Sequence, residues 1–281
     1  MLSYRHAFHA GNFADVFKHI LLLQLLHSLR RKDKPFCVFD THAGAGRYDL
    51  QALAAARNRE FAAGIGALWP APVLGAELSD YRDQVRALNP DGALRYYPGS
   101  PWLSRALLRP GDRLLLTELH PGDYPLLKAT FAGDRQVAVH HADGYASLKA
   151  FLPPPERRGL VFIDPAFERR DEFERLRAAV QTIHQRWPGG IVALWYPILE
   201  RIPSQRWQRQ LQELGIPAIL CAELGLQPYD APRGLHGTGM VIINPPWQFD
   251  QMLGRLLPEL LERLGGGVHG QTRLDWLVPA P

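Results

Sequence analysis

The chain of 281 residues is poor in cysteine and in long apolar runs. Its two cysteines, Cys37 and Cys221, are far apart, so the sequence predicts neither a disulfide framework nor a cysteine zinc site, and the expected location is a reducing cytoplasm. The longest apolar stretch, residues 20–29, is interrupted by polar side chains and is too short to cross a bilayer, so no membrane partner is expected. A composition with 46% hydrophobic and 21% charged residues excludes a disordered or fibrous protein.

The charge of the chain is nearly balanced, with 32 basic and 28 acidic residues and a net charge of +4. Arginine outnumbers lysine 27 to 5, which favours a phosphate-binding surface because a guanidinium binds phosphate through two hydrogen bonds. A compositional bias explains the same excess equally well. The densest basic cluster, residues 30–34, also has a structural explanation as the end of a helix. His6 and His9 lack a third ligand group, so no metal is expected.

Short strands rich in valine, isoleucine and leucine alternate with helical stretches along the chain. The first helix is predicted to begin at a capping pair, Asn12 and Asp15, and to end at the basic residues 30–32. The alternation favours an α/β fold with a doubly wound, mostly parallel sheet, in which the last two strands form an edge hairpin. Residues 49–92 exceed a minimal crossover and predict a helical insertion in a core of residues 1–48 and 93–281.

Distinctive residues follow four of the predicted strands. They are the glycine turn at residues 40–46, Glu118, the pair Asp143 and Gly144, and residues 164–167. In doubly wound sheets the ligand lies at the carboxyl ends of the strands, where a glycine turn admits a ligand and a carboxylate holds a ribose diol. Each group alone also fits an ordinary turn or a surface acid, and the full G-x-G-x-x-G fingerprint is absent. Their order along the chain makes a stronger joint signal.

That order resembles the class I S-adenosylmethionine-dependent methyltransferases, and residues 164–167 (DPAF) resemble the DPPY motif of enzymes that methylate exocyclic amino groups. Longer segments are similar to the bacterial 23S rRNA (adenine-2030-N(6))-methyltransferase family, of RlmJ type. They are MLSYRHAFHAGNFADVFKH, DTHAGAGRY, RYYPGSP, LTELHPGDYPLL, ALWYP and INPPW. The resemblance implies a Rossmann-like fold with a mostly parallel seven-stranded sheet, S-adenosyl-L-methionine as methyl donor, 23S rRNA as partner and a monomeric protein.

The resemblance also implies the residues of the site. Those expected at the cofactor are His19, His42, Gly44, Ser100, Glu118, Asp143, Gly144 and Asp164. Those expected at the substrate are Tyr4, His6, Lys18 and Phe167, and those expected to act in catalysis are Asp164, Pro165 and Phe167. Residues 1–19 are expected to pack over the pocket, and the insertion at residues 49–92 is a candidate RNA-recognition subdomain.

The chemistry of amino-group methylation explains the catalytic set. Asp164 and the Pro165 carbonyl would each accept one amino proton of a flipped adenine, and Phe167 would stack on the base. One departure from the family spelling is that Ala166 replaces a proline, which affects the stiffness of the loop. Phe167 replaces a tyrosine and can still stack on a base.

Several alternatives remain open from the sequence. Residues 244–247 (NPPW) match the amino-methyltransferase motif better in spelling, but they follow the last predicted strand, so Asp164 is favoured. Besides an rRNA adenine methyltransferase, the chain could be a DNA adenine methyltransferase or a non-catalytic nucleic-acid-binding protein. A nicotinamide dehydrogenase is disfavoured because its glycine fingerprint is incomplete.

Overall fold

A computed structural model of the protein describes residues 5–228, 234–265, 267 and 269–281. The strands are β1 (Cys37–Asp40), β2 (Arg47–Asp49), β3 (Tyr96–Pro98), β4 (Arg113–Glu118), β5 (Val137–His141), β6 (Gly159–Ile163), β7 (Ile191–Ile198), β8 (Ile219–Gly225), β9 (Gly237–Ile243) and β10 (Gln271–Val278). The α-helices are α1 (Phe13–Arg30), α2 (Leu53–Asn58), α3 (Ile65–Leu68), α4 (Ala76–Ala87), α5 (Ser100–Ala106), α6 (Asp123–Thr130), α7 (Gly144–Phe151), α8 (Glu172–Arg186), α9 (Arg201–Gln212) and α10 (Phe249–Arg263). Short 3₁₀ turns cover His6–Phe8 and Glu60–Ala63.

Eight strands form the main sheet, in the order β10-β8-β9-β7-β6-β1-β4-β5. The five strands from β7 to β5 in this order are parallel to one another, and the chain winds outward from β1 in both directions. This Rossmann-like arrangement confirms the predicted α/β fold with a mostly parallel sheet. The short strands β2 and β3 form a separate antiparallel pair.

The end of the sheet differs from the prediction in two ways. Strands β8 and β9 pair as the predicted antiparallel hairpin, but β9 lies inside the sheet between β7 and β8 and is not an edge strand. An eighth strand, β10, covers the outer side of β8, so the predicted count of seven is one too low. β10 was not recognised because charged residues at 273 and 275 interrupt its apolar pattern, as is common in edge strands.

Helices cover both faces of the sheet because successive strand residues point to opposite sides. Val38 and Phe162 belong to one apolar cluster, shared with α1 and α10, whereas Phe39 and Val161 belong to a second, shared with α8 and α9. The two clusters form the two hydrophobic layers of a three-layer fold. The carboxyl edge of the sheet stays open between them.

Helix α1 begins as predicted, since the Asn12 side chain accepts a hydrogen bond from the backbone N–H of Asp15. It is buried along most of its length, between the sheet and the segment from α2 to α4. This explains why apolar residues occupy nearly every face of the helix. Among the described residues no helix combines the length and the apolarity that a bilayer crossing requires.

Residues 49–92 are largely helical, as the pattern predicts, and they pack tightly on α1. Ile65, Leu68 and Tyr81 belong to the same apolar cluster as α1. The backbone N–H of Ile65 donates to the carbonyl of Gly11 at 2.9 Å, directly before α1. The segment therefore forms a wall beside the start of α1, and its role as an RNA-recognition subdomain stays a prediction.

Candidate active site

A cavity of about 470 Å³ lies at the carboxyl ends of β1, β4, β5, β6 and β7. All predicted site residues in the described part of the chain line it: His6, Lys18, His19, His42, Gly44, Ser100, Glu118, Asp143, Gly144, Asp164, Pro165 and Phe167. The remaining predicted residue, Tyr4, lies outside the described residues. Residues far apart in the sequence thus meet at one edge of the sheet, because parallel strands end side by side.

Asp164 directly follows β6 and lies in the wall of the cavity, with 12% of its side chain exposed. Its Oδ2 atom is 2.5 Å from the ammonium nitrogen of Lys18, which projects from the first turns of α1. Burial raises the pKa of Asp164 above its usual value, and the charge of Lys18 opposes that rise. The geometry thus places a carboxylate and its counter-cation next to open space.

A second carboxylate, Asp15, holds Lys18 from the other side. The Lys18 ammonium nitrogen is 2.6 Å from Asp15 Oδ1, and Asp15 Oδ2 accepts from the Gly11 N–H at 2.8 Å and pairs with His6 at 2.9 Å. Burial would raise the pKa of Asp15, but His6 and Lys18 outweigh it and hold the pKa well below its usual range. Sequence reasoning identified Asp15 only as part of a helix cap, and that capping pair was its sole signal.

Phe167 adopts a left-handed backbone conformation, with a φ of 51°. A bulky side chain is strained in this region, and such strain is typically retained at functional sites. Its half-buried ring packs edge-on against Phe173 and Trp195, at centroid distances of 5.1 and 5.9 Å. Lys18 lies 5.2 Å from the centroid of the Trp195 ring. An aromatic corner therefore adjoins the charged pair of Lys18 and Asp164.

Glu118, at the end of β4, is anchored by two backbone groups. Its Oε2 accepts from the Gly44 N–H at 2.7 Å and its Oε1 from the His120 N–H at 2.6 Å. Burial raises the pKa of Glu118 despite these two hydrogen bonds. Gly44 has a φ of 62°, and a Cβ atom there would lie 2.2 Å from the Tyr48 hydroxyl. The glycine therefore allows the turn after β1 to reach Glu118.

Beneath this turn, Asp40 is fully buried and organises two predicted site residues. It accepts from the Ser100 hydroxyl at 2.6 Å and from the His42 N–H at 3.2 Å. Burial raises the pKa of Asp40 to about 7, and burial also lowers the pKa of the His42 imidazole to about 4. The His42 ring is thus neutral at physiological pH, and Nδ1 lies 2.8 Å from the Thr41 hydroxyl.

Asp143 caps α7 and is paired with Arg175, a residue that sequence reasoning missed. Its Oδ1 accepts from the Ala146 N–H at 3.0 Å and its Oδ2 from Arg175 at 2.9 Å. Burial would raise the pKa of Asp143, but the helix N–H and the guanidinium lower it. Gly144 lets α7 approach β1, since a Cβ atom there would lie 2.1 Å from the Thr41 carbonyl oxygen. Arg175 also lies 4.3 Å from the Tyr145 ring centroid.

The histidines near the amino terminus have different partners. His19 lies in the wall toward the insertion, where Nδ1 is 2.8 Å from the Tyr97 hydroxyl. Burial lowers the pKa of His19 to about 3, so the ring is neutral. His6 pairs with Asp15 and His9 with Glu60, the latter at 2.9 Å. Within residues 5–228, 234–265, 267 and 269–281, no three histidine, cysteine or acidic side chains are grouped as a metal site would require.

The competing motif at residues 244–247 lies at the opposite edge of the sheet. β9 runs antiparallel to β7, so its carboxyl end, at Ile243, pairs with Val192 at the start of β7. The Asn244 side chain donates to the carbonyls of Pro188 and Gly190, both at 2.8 Å. These bonds hold Asn244 in a turn that does not reach the cavity.

Comparisons with known proteins agree with this arrangement. The family described as "Ribosomal RNA large subunit methyltransferase D, RlmJ" matches residues 33–278. Two curated relatives are both named "Ribosomal RNA large subunit methyltransferase J". The Escherichia coli K12 protein is 46% identical over 279 residues, which are 99% of this chain and 100% of the relative. The Haemophilus influenzae protein is 42% identical over 280 residues, again 99% and 100% of the two chains.

The fold of the chain also has a close counterpart among solved structures. A crystal structure of a Legionella pneumophila protein superposes with a TM-score of 0.89 at 36% sequence identity, covering 95% of this chain and 98% of that one. The family match includes the segment at residues 49–92, and the two relatives align with 99% of the chain. The chain therefore belongs to the RlmJ family of ribosomal RNA large subunit methyltransferases.

Proposed function

We propose that this protein methylates the exocyclic N6 amino group of a flipped adenine in 23S rRNA, with S-adenosylmethionine as methyl donor. By family resemblance the target is adenine 2030. The observation that carries the proposal is the pairing of Asp164 with Lys18 beside Phe167, at the carboxyl edge of a Rossmann-like sheet. In this proposal the carboxylate acts on the amino group, the aromatic ring holds the base, and Lys18 holds the carboxylate.

The cavity fits S-adenosylmethionine. Of the three predicted carboxylates that line it, two already have counter-cations, Arg175 for Asp143 and Lys18 for Asp164, whereas Glu118 is held by backbone N–H groups. Glu118 ends the strand from which a ribose diol is commonly held, and Asp143 with Gly144 would face the adenine edge of the donor. When bound, the donor supplies an electrophilic methyl group, so the task of the protein is to align the two reactants.

Asp164 would make the adenine amino group more nucleophilic. The lone pair of that nitrogen is delocalised into the ring, and accepting its protons favours the pyramidal form that can attack. Lys18 occupies Asp164 Oδ2, and no hydrogen bond to Oδ1 is found among the described residues. Oδ1 would therefore accept one amino proton and the Pro165 carbonyl the other. Lys18 would keep the buried carboxylate ionised for this step.

Phe167 would stack on the flipped base. Its half-buried ring already lines the cavity, supported by Phe173 and Trp195. Base–aromatic stacking is worth about 1–3 kcal/mol and tolerates either a phenylalanine or a tyrosine ring. The departure from DPPY to DPAF is compatible with this role, since only the ring face is needed.

The other functions that the sequence left open have less support. The names of the full-length relatives favour rRNA over DNA as the substrate. The paired Asp164 and Lys18 argue against a protein that kept the fold and lost the chemistry. An rRNA substrate and two free, buried cysteines fit a reducing cytoplasm as the location of the protein. The family resemblance adds that the protein acts as a monomer.

A side-by-side transfer assay tests the proposal. Tritiated S-adenosylmethionine is incubated with the protein and either an unmodified 23S rRNA transcript or duplex DNA. We expect label in the rRNA alone, and mass mapping should locate it as N6-methyladenine. Label in the DNA alone would replace the proposal with the DNA alternative, and label in neither would favour a non-catalytic protein.

A further inference from the structure

Two exposed apolar side chains follow β7, the strand whose carboxyl end borders the cavity. Leu199, in the loop after β7, lines the cavity and is 49% exposed. Ile202, in the first turn of α9, is 78% exposed. Exposed apolar residues that stand next to a ligand cavity commonly mark an interaction surface. An exposed apolar residue of the cavity lining, Leu199, is thus followed three residues later by a second exposed apolar residue on α9.

A basic stripe continues from Ile202 along α9. Ile202, Arg206 and Arg209 are spaced by four and three residues, so they share one face of the helix. Both arginines are exposed, and no ion pair or hydrogen bond of either guanidinium group is found within the part of the chain that the structure describes. The opposite face buries Trp207 and Leu211 against the sheet. The stripe extends about 10 Å from Ile202, at a rise of about 1.5 Å per residue.

The charge of this helix is of one sign. Its sequence, RIPSQRWQRQLQ, contains arginines and no carboxylate, although Glu200 and Glu213 flank its ends. A helix that starts at the active-site edge and carries only positive charge complements a polyanion that crosses that edge. Arginine is suited to this task because its guanidinium matches phosphate geometry.

Two other sets of basic residues have partners or lie away from the cavity. In the segment of residues 49–92, Arg82 donates to the Ala71 carbonyl, and Arg86 stacks on Trp69 and pairs with Asp83. The dense basic cluster at residues 30–34 lies between the end of α1 and the start of β1, at the amino edge of the sheet. That edge is opposite the cavity.

We propose that Leu199, Ile202, Arg206 and Arg209 form the surface that holds the RNA strand next to the flipped adenine. The apolar pair packs against the neighbouring bases, and the two arginines bind phosphates of the same strand. The inference rests on the proposed function, because it assigns the RNA contacts of that same site. It also gives RNA a path along α9 in addition to any contact with residues 49–92.

The arginines are tested through the salt dependence of RNA binding. The double variant Arg206→Ala/Arg209→Ala is titrated with an unmodified 23S rRNA transcript at several salt concentrations. We expect Kd at low salt to rise about tenfold, and the slope of log affinity against log salt to fall by roughly 1.4–1.8, the value for two lost phosphate contacts. The matched control is Arg31→Ala/Lys32→Ala, two exposed residues at the opposite edge, which should leave Kd and slope unchanged.

The apolar pair has a different signature. Leu199→Ala/Ile202→Ala should lower kcat/KM for the transcript about tenfold and leave the salt slope unchanged, because no charge is removed. Trp247→Ala is the control, since Trp247 is 84% exposed at the opposite edge of the sheet and does not line the cavity. Calorimetry with S-adenosylmethionine should give wild-type affinity in every variant and thereby show that the fold is intact.

The outcomes separate this inference from the proposed function. A wild-type protein that methylates rRNA, together with an arginine variant that binds RNA with unchanged Kd and slope, would overturn the inference alone. A loss of slope in the Arg31/Lys32 variant, with none in the Arg206/Arg209 variant, would place the RNA on the opposite edge. A wild-type protein that transfers no methyl group to rRNA would instead overturn the proposed function.

Discussion

Asp164 is the residue on which the proposed chemistry depends most directly. Asp164→Asn preserves the shape of the side chain and removes its ability to accept the amino proton as a carboxylate. We expect kcat to fall at least about 100-fold, the lower range for loss of a general base. Binding of S-adenosylmethionine should change by no more than a few-fold. Single-turnover label transfer and calorimetry measure the two quantities.

The matched control for this change is Asp171→Asn. Asp171 is half-buried, pairs with Arg169 and does not line the cavity, so its variant should retain wild-type transfer. Near wild-type transfer by Asp164→Asn would show that the proposed role of Asp164 is wrong.

Phe167 allows stacking to be separated from packing. If its ring stacks on the base, Phe167→Ala should weaken transition-state binding by about 1–3 kcal/mol, whereas Phe167→Tyr should be nearly neutral. If the ring only fills space against Phe173 and Trp195, the alanine variant should melt at a lower temperature and keep its kcat/KM. Steady-state kinetics beside a thermal melt distinguish the two results.

His19 predicts how stability depends on pH. Burial lowers its pKa to about 3 in the folded protein, from about 6.5 when unfolded, so the unfolded chain binds more protons as the pH falls. The stabilisation is complete above about pH 6.5 and is lost progressively between about pH 6.5 and 3. Between pH 7.5 and 5.5, His19 should lower the free energy of unfolding by about 1.4 kcal/mol.

Urea unfolding at these two pH values measures that contribution. In His19→Gln the difference in the free energy of unfolding between pH 7.5 and 5.5 should be smaller than in wild type by about 1.4 kcal/mol. An identical difference in the two proteins would show that another group sets the acid sensitivity.

At the level of secondary-structure elements, the contact between the insertion and the start of α1 depends on Gly64. A Cβ atom at this position would lie 2.1 Å from the Gly11 carbonyl oxygen and 2.5 Å from the Asn12 carbonyl carbon, so the backbone would have to move. We expect Gly64→Ala to destabilise the protein by roughly 1–3 kcal/mol, the usual range for overpacking. Thermal denaturation measures this loss.

Gly189→Ala is the control, because Gly189 has open space around its Cα atom and no positive φ. This variant should melt at the wild-type temperature or slightly above it. Equal melting temperatures for the Gly64 and Gly189 variants would mean that the insertion adjusts to the extra methyl group.

The site residues at strand ends could be predicted because their signals are local. Glu118, Asp143 and Asp164 each follow a short apolar strand, and parallel strands bring such ends together. Arg175 and Asp15 could not be predicted, since their roles depend on contacts between separate elements. Arg175 joins α8 to the cap of α7, and Asp15 acts through Lys18 on a strand far along the chain.

The order of the last strands shows a limit of the same kind. Two neighbouring apolar segments indicate a hairpin, which is correct for β8 and β9. The sequence of those segments does not predict that β9 also pairs with β7, or that β10 pairs with the outer side of β8. The order of strands in a sheet depends on how whole layers pack, and the residues of a single strand contain little information about it.

For the whole molecule, binding of the methyl donor should increase the free energy of unfolding. S-adenosylmethionine at 100 times its Kd should raise the free energy of unfolding by about 2.7 kcal/mol, because it binds only the folded chain. A thermal melt should shift upward by roughly 5 °C for a chain of this size. Asp164→Asn should show a similar shift, since it is expected to keep the donor bound. A wild-type melt that does not respond to the donor would contradict the assignment of the cavity.

The insertion of β9 between β7 and β8 has a consequence for the chain during its synthesis. The strands that carry the cavity are complete at Ile198, whereas β9 begins only at Gly237. At about 5–20 residues per second, the ribosome needs about 2 to 8 s to extend the chain from Ile198 to Gly237. For that time the outer side of β7 is an unpaired, apolar edge, the kind of surface on which nascent chains aggregate. Pairing of β9 with β7 thus ends the interval in which this edge of the growing chain is open to aggregation.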